Sequence, residues 1–280
     1  MWFFGRGPVV PVLRFSGPIG MATPLRPGLS IGQAASAIEK AFELSKIPAV
    51  AVVVNSPGGS PVQSSLIFRR IRQLAEEKEK TVYVFCEDVA ASGGYYLALA
   101  GDEIYADPSS IIGSIGVIFA GFGLDKAISK LGIERRVYTA GEQKDALDPF
   151  RPETPEDIER IKSVQRDVHD VFIGIVKERR AGRLAGADAE LFSGAFWSGP
   201  KALELGLIDG ISDVRTKMRE LYGDKVRLRV VPLEKGGLLG RLRRSSSAAG
   251  YEDLRSGRLA FGEDLISAVE ARSLWSRFGL

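Results

Sequence analysis

The stretch Val89-Ala90-Ala91-Ser92-Gly93-Gly94-Tyr95-Tyr96 sets one serine among small residues, after an apolar β-rich run and before a segment of helical character. A hydroxyl at such a junction can be held exposed on a tight turn, with neighbouring amides and a helix N-terminus ready to stabilise an oxyanion. The pattern resembles the nucleophile elbow G-x-S-x-G with Ala90 in place of the first glycine, and it equally suits a Gly-rich turn that needs small side chains. A second turn, Asn55-Ser56-Pro57-Gly58-Gly59, follows another apolar run. Its glycines let a backbone N–H face a cleft, as an oxyanion hole requires, or simply permit a sharp bend before a helix.

A serine nucleophile needs a base. The chain holds one histidine, His169, in the middle of a long predicted helix. Its neighbours Asp167 and Asp170 stand at i−2 and i+1 and so share no helix face with it, which disfavours a Ser-His-Asp triad. His169 reads as a helix-surface or interface residue. A lysine can serve when its pKa falls from about 10.4 towards 7, at roughly 4 kcal/mol of desolvation and local dipoles. Lys144, within Gly141-Glu142-Gln143-Lys144-Asp145-Ala146, lies in a loop after a predicted strand. Taken by itself it is one lysine among many.

The elements that must position these residues alternate between β-rich and helical patterns, which argues for βαβ units, an α/β fold and a mainly parallel sheet. Strands are expected at Val9 to Phe15, Ala49 to Val54, Thr81 to Cys86 and Glu103 to Ala106 and, late in the chain, at Val226 to Val231, with weaker signals at Gly116 to Phe119 and Arg135 to Tyr138. Helices are expected from Ile31 to Leu44 behind Ser30, and from Pro61 to Lys78 behind Ser60 with proline in its first turn. The second carries Val62, Leu66, Ile67, Ile71 and Leu74 on one face. A short helix is expected over Gly93 to Ala100, and a long one from Pro155 to Arg180, with Thr154 as N-cap and Asp157 at the capping-box position. From Lys235 the composition turns to Gly, Arg and Ser, so the chain divides into a domain over 1–234 and a flexible basic linker with a helical segment over 235–280. That segment carries Phe261, Leu265, Ile266 and Val269.

With 280 residues, 45% hydrophobic and 26% charged, the chain can build a sizeable core. A net charge of +3 makes no case for nucleic acid as a partner. The lone cysteine, Cys86, sits in an apolar run and reads as a small buried side chain. No apolar stretch approaches the ~20 residues that span a bilayer. Met1 to Gly7 has a Trp-Phe-Phe cluster but neither basic leader nor cleavage site. The expectation is a cytoplasmic protein, with a peripheral contact of those aromatics at the inner membrane left open. Gly121-Phe122-Gly123 lacks the third glycine of a dinucleotide fingerprint, and neither a P-loop nor a metal-ligand cluster occurs.

Taken in order, Asn55-Ser56-Pro57-Gly58-Gly59, Ala91 to Tyr96, Gly113-Ser114-Ile115-Gly116-Val117-Ile118, Lys144-Asp145-Ala146, Trp197-Ser198-Gly199 and Ala202 to Asp209 resemble the signal peptide peptidase A family of serine peptidases, of the SppA/SohB type. The resemblance runs from Val9 to Val231. It implies the Clp-protease/crotonase fold, an α/β core of repeated β-β-α units, assembled into a homo-oligomeric ring or dome. It implies Ser92 as the acylated nucleophile, Lys144 as its base, Gly59 and Gly93 as oxyanion-hole donors, and Ser114 as the residue that orients the lysine. The implied substrates are hydrophobic peptides such as remnant signal peptides or membrane-protein fragments, cut without metal or cofactor. Two rivals stand beside this reading: a crotonase-type acyl-CoA enzyme and a catalytically inactive peptide-binding scaffold.

Overall fold

A computed structural model describes residues 7–20, 28–141, 143–234 and 272–279. The chain order opens with β1 (Val9–Ser16), α1 (Ile31–Glu43), β2 (Ala49–Ser56), α2 (Pro61–Glu77), β3 (Thr81–Ala91) and α3 (Gly93–Ala98). It continues with β4 (Glu103–Ala106), β5 (Ile111–Gly113), α4 (Asp125–Lys130), α5 (Pro155–Arg179) and α6 (Asp188–Leu191). Last come β6 (Phe196–Ser198), α7 (Gly199–Glu204), β7 (Gly210–Ile211), α8 (Val214–Tyr222) and β8 (Arg227–Val230).

The strands form one eight-stranded sheet of order β6-β5-β3-β2-β1-β8, with β4 beside β3 and β7 beside β4. Every pairing is parallel except β5 with β6. Strand β2 is buried at seven of its eight positions, as a central parallel strand covered on both faces must be. One face, carrying Val52, Val54, Val84 and Ile104, packs under α1, α2, α3 and α5 through Ile38, Ile67, Tyr95 and Phe172. The other, carrying Ala51, Val53, Tyr83 and Phe85, is closed by Met218 of α8.

Strand β3 positions the site. Its first half pairs with β4, through Tyr83 to Cys86, and its second half with β5, through Val89 to Ala91. The register against β2 shifts between Val54 and Ser56. Asn55 stitches that irregularity: its Nδ2 donates to Asp88 Oδ2 at 2.6 Å, and its Oδ1 accepts the Val89 N–H at 3.3 Å. The bulge carries the strand past the end of β4 and onto β5, so that it runs on to Ala91 rather than stopping at Cys86.

Other expectations need correction. The segments 116–119 and 135–138 form no strand; Ile118, Phe119, Val137 and Tyr138 are exposed, with no neighbouring strand to pair with. The short strands β5, β6 and β7 carry too few residues to show a periodicity. Ser60 caps α2 as expected, its Oγ accepting the Gln63 N–H at 3.3 Å, and Thr154 caps α5 through the Asp157 N–H. Ser30 makes no side-chain cap; the Ile31 N–H is taken by Gln63 Oε1 instead. Asp157 turns from the capping box to accept from Arg151 at 3.0 Å. Cys86 is buried and its thiol is pushed up to about 12 by desolvation, so it behaves as a core side chain. The helical pattern at Phe261 to Val269 lies outside the described residues. Residues just beyond it do dock on the body: Trp275 and Phe278 pack on Val89, Ala91 and Ile111.

Arg180, only 1% exposed, ties the end of α5 to the loop before β7. It donates to both carboxylate oxygens of Asp209, at 2.7 and 3.0 Å, and to the Gly206 carbonyl at 2.8 Å. Removing the carboxylate leaves a buried guanidinium short of its counter-charge. Asp209→Ala is therefore expected to cost about 3–5 kcal/mol in chemical denaturation. Glu159→Ala, which breaks the exposed pair with Arg166, should produce no measurable change.

Candidate active site

Ser92 stands between β3 and α3 with φ 52° and ψ −121°, a conformation that favours glycine. A non-glycine residue there stores about 1–3 kcal/mol, held by its surroundings. The holding contacts are specific. The Ser92 N–H donates to the Gly113 carbonyl at 2.8 Å, extending the β3–β5 pairing by one bond, and the Ser92 carbonyl accepts from the Tyr96 N–H at 2.9 Å. Gly94 lets the junction approach β2, since a Cβ there would lie 2.3 Å from the Ser56 carbonyl oxygen. The Ser92 Oγ has no hydrogen-bond partner among the described residues.

Two open amides adjoin that hydroxyl. The loop after β2 is fixed by Ile19, whose N–H donates to the Gly58 carbonyl and whose carbonyl accepts from the Ser60 N–H, both at 2.8 Å. This bridge passes over Gly59, which adopts φ 138° with its would-be Cβ at 2.1 Å from the Ile19 oxygen. Among the described residues neither the Gly59 nor the Gly93 N–H has an acceptor. Both glycines and Ser92 line one groove of about 270 Å³. Unpaired donors beside an unpaired hydroxyl are what acyl transfer needs, because they can meet the charge that develops on a carbonyl oxygen under attack.

The groove walls are apolar. Helix α2 supplies Val62 and Leu66, helix α5 supplies Val168, Val171 and Phe172, and Tyr96 packs between Phe68 and Phe172. Of the apolar positions expected on one face of α2, Ile67, Ile71 and Leu74 are buried, whereas Val62 and Leu66 are 64% and 40% exposed and face the groove. A cavity of about 500 Å³ elsewhere is lined by Glu87, Asp88, Asp107 and Asp213. Those carboxylates are engaged by Arg14, Asn55, the Ser109 N–H and Thr216 respectively. Among the described residues no group of acidic, histidine and cysteine side chains is placed to hold a metal ion.

Ser114 is buried beside this assembly, directly after the residue that binds the Ser92 amide, and also has a positive φ of 51°. Its own N–H donates to the Ala195 carbonyl at 2.7 Å. Lys144 is apart. It lies exposed in the turns that follow residue 141, does not line the groove, and its ammonium makes no bond to Ser92. His169 Nε2 donates to the Ile115 carbonyl at 3.1 Å, so this imidazole is spent on holding α5 against the loop after β5 and does not reach Ser92. The structure thus brings together Ser92, Gly59, Gly93 and Ser114, and leaves Lys144 in solvent.

A strained serine at a strand–helix junction, on a mostly parallel sheet with helices on both faces, defines a protein of the Clp-protease-like class. Residues 74–226 match the family described as Peptidase family S49. The chain belongs to this family of serine peptidases, as the ordered motifs implied. It is 52% identical over 272 residues to a Brucella abortus protein named Na(+)/H(+) antiporter NhaA, covering 97% of this chain and 37% of that one. It is 32% identical over 203 residues to "Serine protease SPPA, chloroplastic" of Arabidopsis thaliana, covering 71% and 29%. It is 30% identical over 174 residues to "Protease 4" of Haemophilus influenzae, covering 62% and 28%. The chain therefore spans well under half the length of these relatives. The antiporter name belongs to the longer Brucella protein. Here, no helix among the described residues is long and apolar enough to cross a membrane.

The Ser92 backbone makes a sharp expectation. Ser92→Gly removes the strained side chain and should raise stability by about 1 kcal/mol, whereas Ser92→Ala keeps the strain and should not. Thermal unfolding of the two variants against wild type checks this: Ser92→Gly should melt a few degrees above Ser92→Ala.

Proposed function

We propose that this chain is a serine endopeptidase that cuts hydrophobic peptides through an acyl-enzyme, with Ser92 as nucleophile and Lys144 as general base. The observation that carries the reading is the unpartnered Ser92 hydroxyl, set beside the two open amides at the end of an apolar groove. Neutral lysine takes the serine proton as Oγ attacks the scissile carbonyl. The Gly59 and Gly93 N–H groups stabilise the tetrahedral oxyanion. The lysine then protonates the leaving amine, and water, activated by the same lysine, releases the second product. Ser114 accepts a hydrogen bond from the lysine and orients it.

For this chemistry Lys144 must come to a Ser92 hydroxyl, and assembly supplies the route. The segment that carries the lysine leaves Ile118, Phe119, Phe122, Leu131, Ile133 and Tyr138 exposed, far more apolar surface than a free monomer keeps in one stretch. Burying it against a second copy brings one protomer's Lys144 to the other's Ser92. The apolar groove also suits a crotonase-type acyl chain, but the strained serine has no use in that chemistry.

Two experiments test the proposal. Ser92→Ala and Lys144→Ala should each lower kcat/KM on a fluorogenic hydrophobic peptide by about 10³-fold or more. Mixing the two inactive variants should then restore up to about a quarter of wild-type activity, the share of interfaces that pair an intact serine with an intact lysine. Full activity in Lys144→Ala would remove the lysine from the mechanism. No recovery on mixing, with both variants correctly assembled, would place the dyad within one chain.

A further inference from the structure

The groove beside Ser92 has one charged residue in its lining, Arg69. It falls on the stripe of α2 that faces the groove, after Val62 and Leu66 at helical spacing. The other arginines of this helix with a described ion pair hold a carboxylate: Arg70 holds Glu39, and Arg72 holds Asp102 at 2.8 Å. Arg69 has neither an ion pair nor a side-chain hydrogen bond among the described residues. Asp102 is already shared by Arg72 and Arg179, and Glu76 lies 4.0 Å from Arg72. Arg69 thus lies exposed at the lip of the apolar groove that also holds Ser92, without a described counter-charge.

We propose that Arg69 is a specificity-determining residue: it pairs with a Glu or Asp side chain of the substrate, while the apolar wall of α2 and α5 takes the residue next to the scissile bond. The inference rests on the peptidase reading of Ser92. From Pro61, beside Gly59, to Arg69 the helix rises about 12 Å. An extended peptide advances about 3.3 Å per residue, so the acidic side chain stands two to four residues from the scissile bond once the arginine stem is allowed for. Arg69 is exposed on the lip rather than closing the groove, so the peptide can run past it. That geometry selects a side-chain carboxylate over a chain terminus.

The test uses the assembled protein carrying Ser92→Ala, which keeps the groove, and fluorescein-labelled hydrophobic peptides with amidated C-termini. One Glu, Gln or Lys is walked along each position from the central apolar residue. At one position the Glu peptide should bind about three- to tenfold tighter than the Gln peptide, and the gain should shrink as salt rises. Adding Arg69→Gln should erase the gain, and Arg69→Glu should transfer it to the Lys peptide. In the protein with Ser92 intact, the same changes should appear mainly in KM. Equal binding of Glu and Gln peptides at every position would overturn the proposal, as would a Glu preference that survives Arg69→Glu. A gain seen only with a free C-terminal carboxylate would overturn the side-chain assignment. If Ser92-intact protein cleaves nothing while the Arg69-dependent gain in binding persists, the peptidase reading falls and the specificity role with it, and only the pairing of Arg69 with a peptide carboxylate remains.

Discussion

At Ser92 the backbone is bent into a conformation that an L-residue resists, and the hydrogen bond from its amide to Gly113 holds it there. That bond exists because β3 outlasts β4 and pairs a second time with β5. The second pairing in turn depends on the bulge against β2 that Asn55 bridges. Asn55 therefore acts through geometry, from the strand adjacent to the one that leads into Ser92. Were the bulge to relax, the serine could return to ordinary φ and its hydroxyl would swing from the amides it now adjoins.

Helix α2 serves two surfaces. Ile67, Ile71 and Leu74 bury against the sheet, while Val62, Leu66 and Arg69 turn to the groove. An apolar stripe wider than the core contact needs is how one helix can both anchor a domain and wall a binding site. Helix α5 repeats the arrangement, with Val176 inside and Val171 at the groove. The single imidazole of the chain belongs to this scaffold, pinning α5 to the loop that follows β5.

Much of this was legible in the residues. The buried parallel strands announce themselves as unbroken β-branched runs, and the proline-led caps of α2 and α5 mark their starts by chemistry that acts within one turn. Ser92 and Gly59 were legible because only small residues fit where backbones approach so closely. What escaped was whatever depends on distant partners. The extension of β3 needs β5, which is too short to show a period. The strands expected at 116–119 and 135–138 have the right residues and no neighbour to bond. The exposure of Val62 and Leu66 could not be told from core-facing periodicity, since both put apolar residues on one stripe. Arg69 was readable only as the next member of that stripe.

Lys144 lies in solvent while the Ser92 hydroxyl stands unpartnered, and the separation bears on how such a protein can be made safely. On the proposed mechanism, a lone chain carries a nucleophile whose proton acceptor lies elsewhere. On that mechanism a lone chain spares the unfolded polypeptides around it. If the proposed pairing of copies holds, hydrolysis arises only where they meet, and its onset follows protein concentration more steeply than in direct proportion. On the same proposal, dilution returns the protein to an inert form.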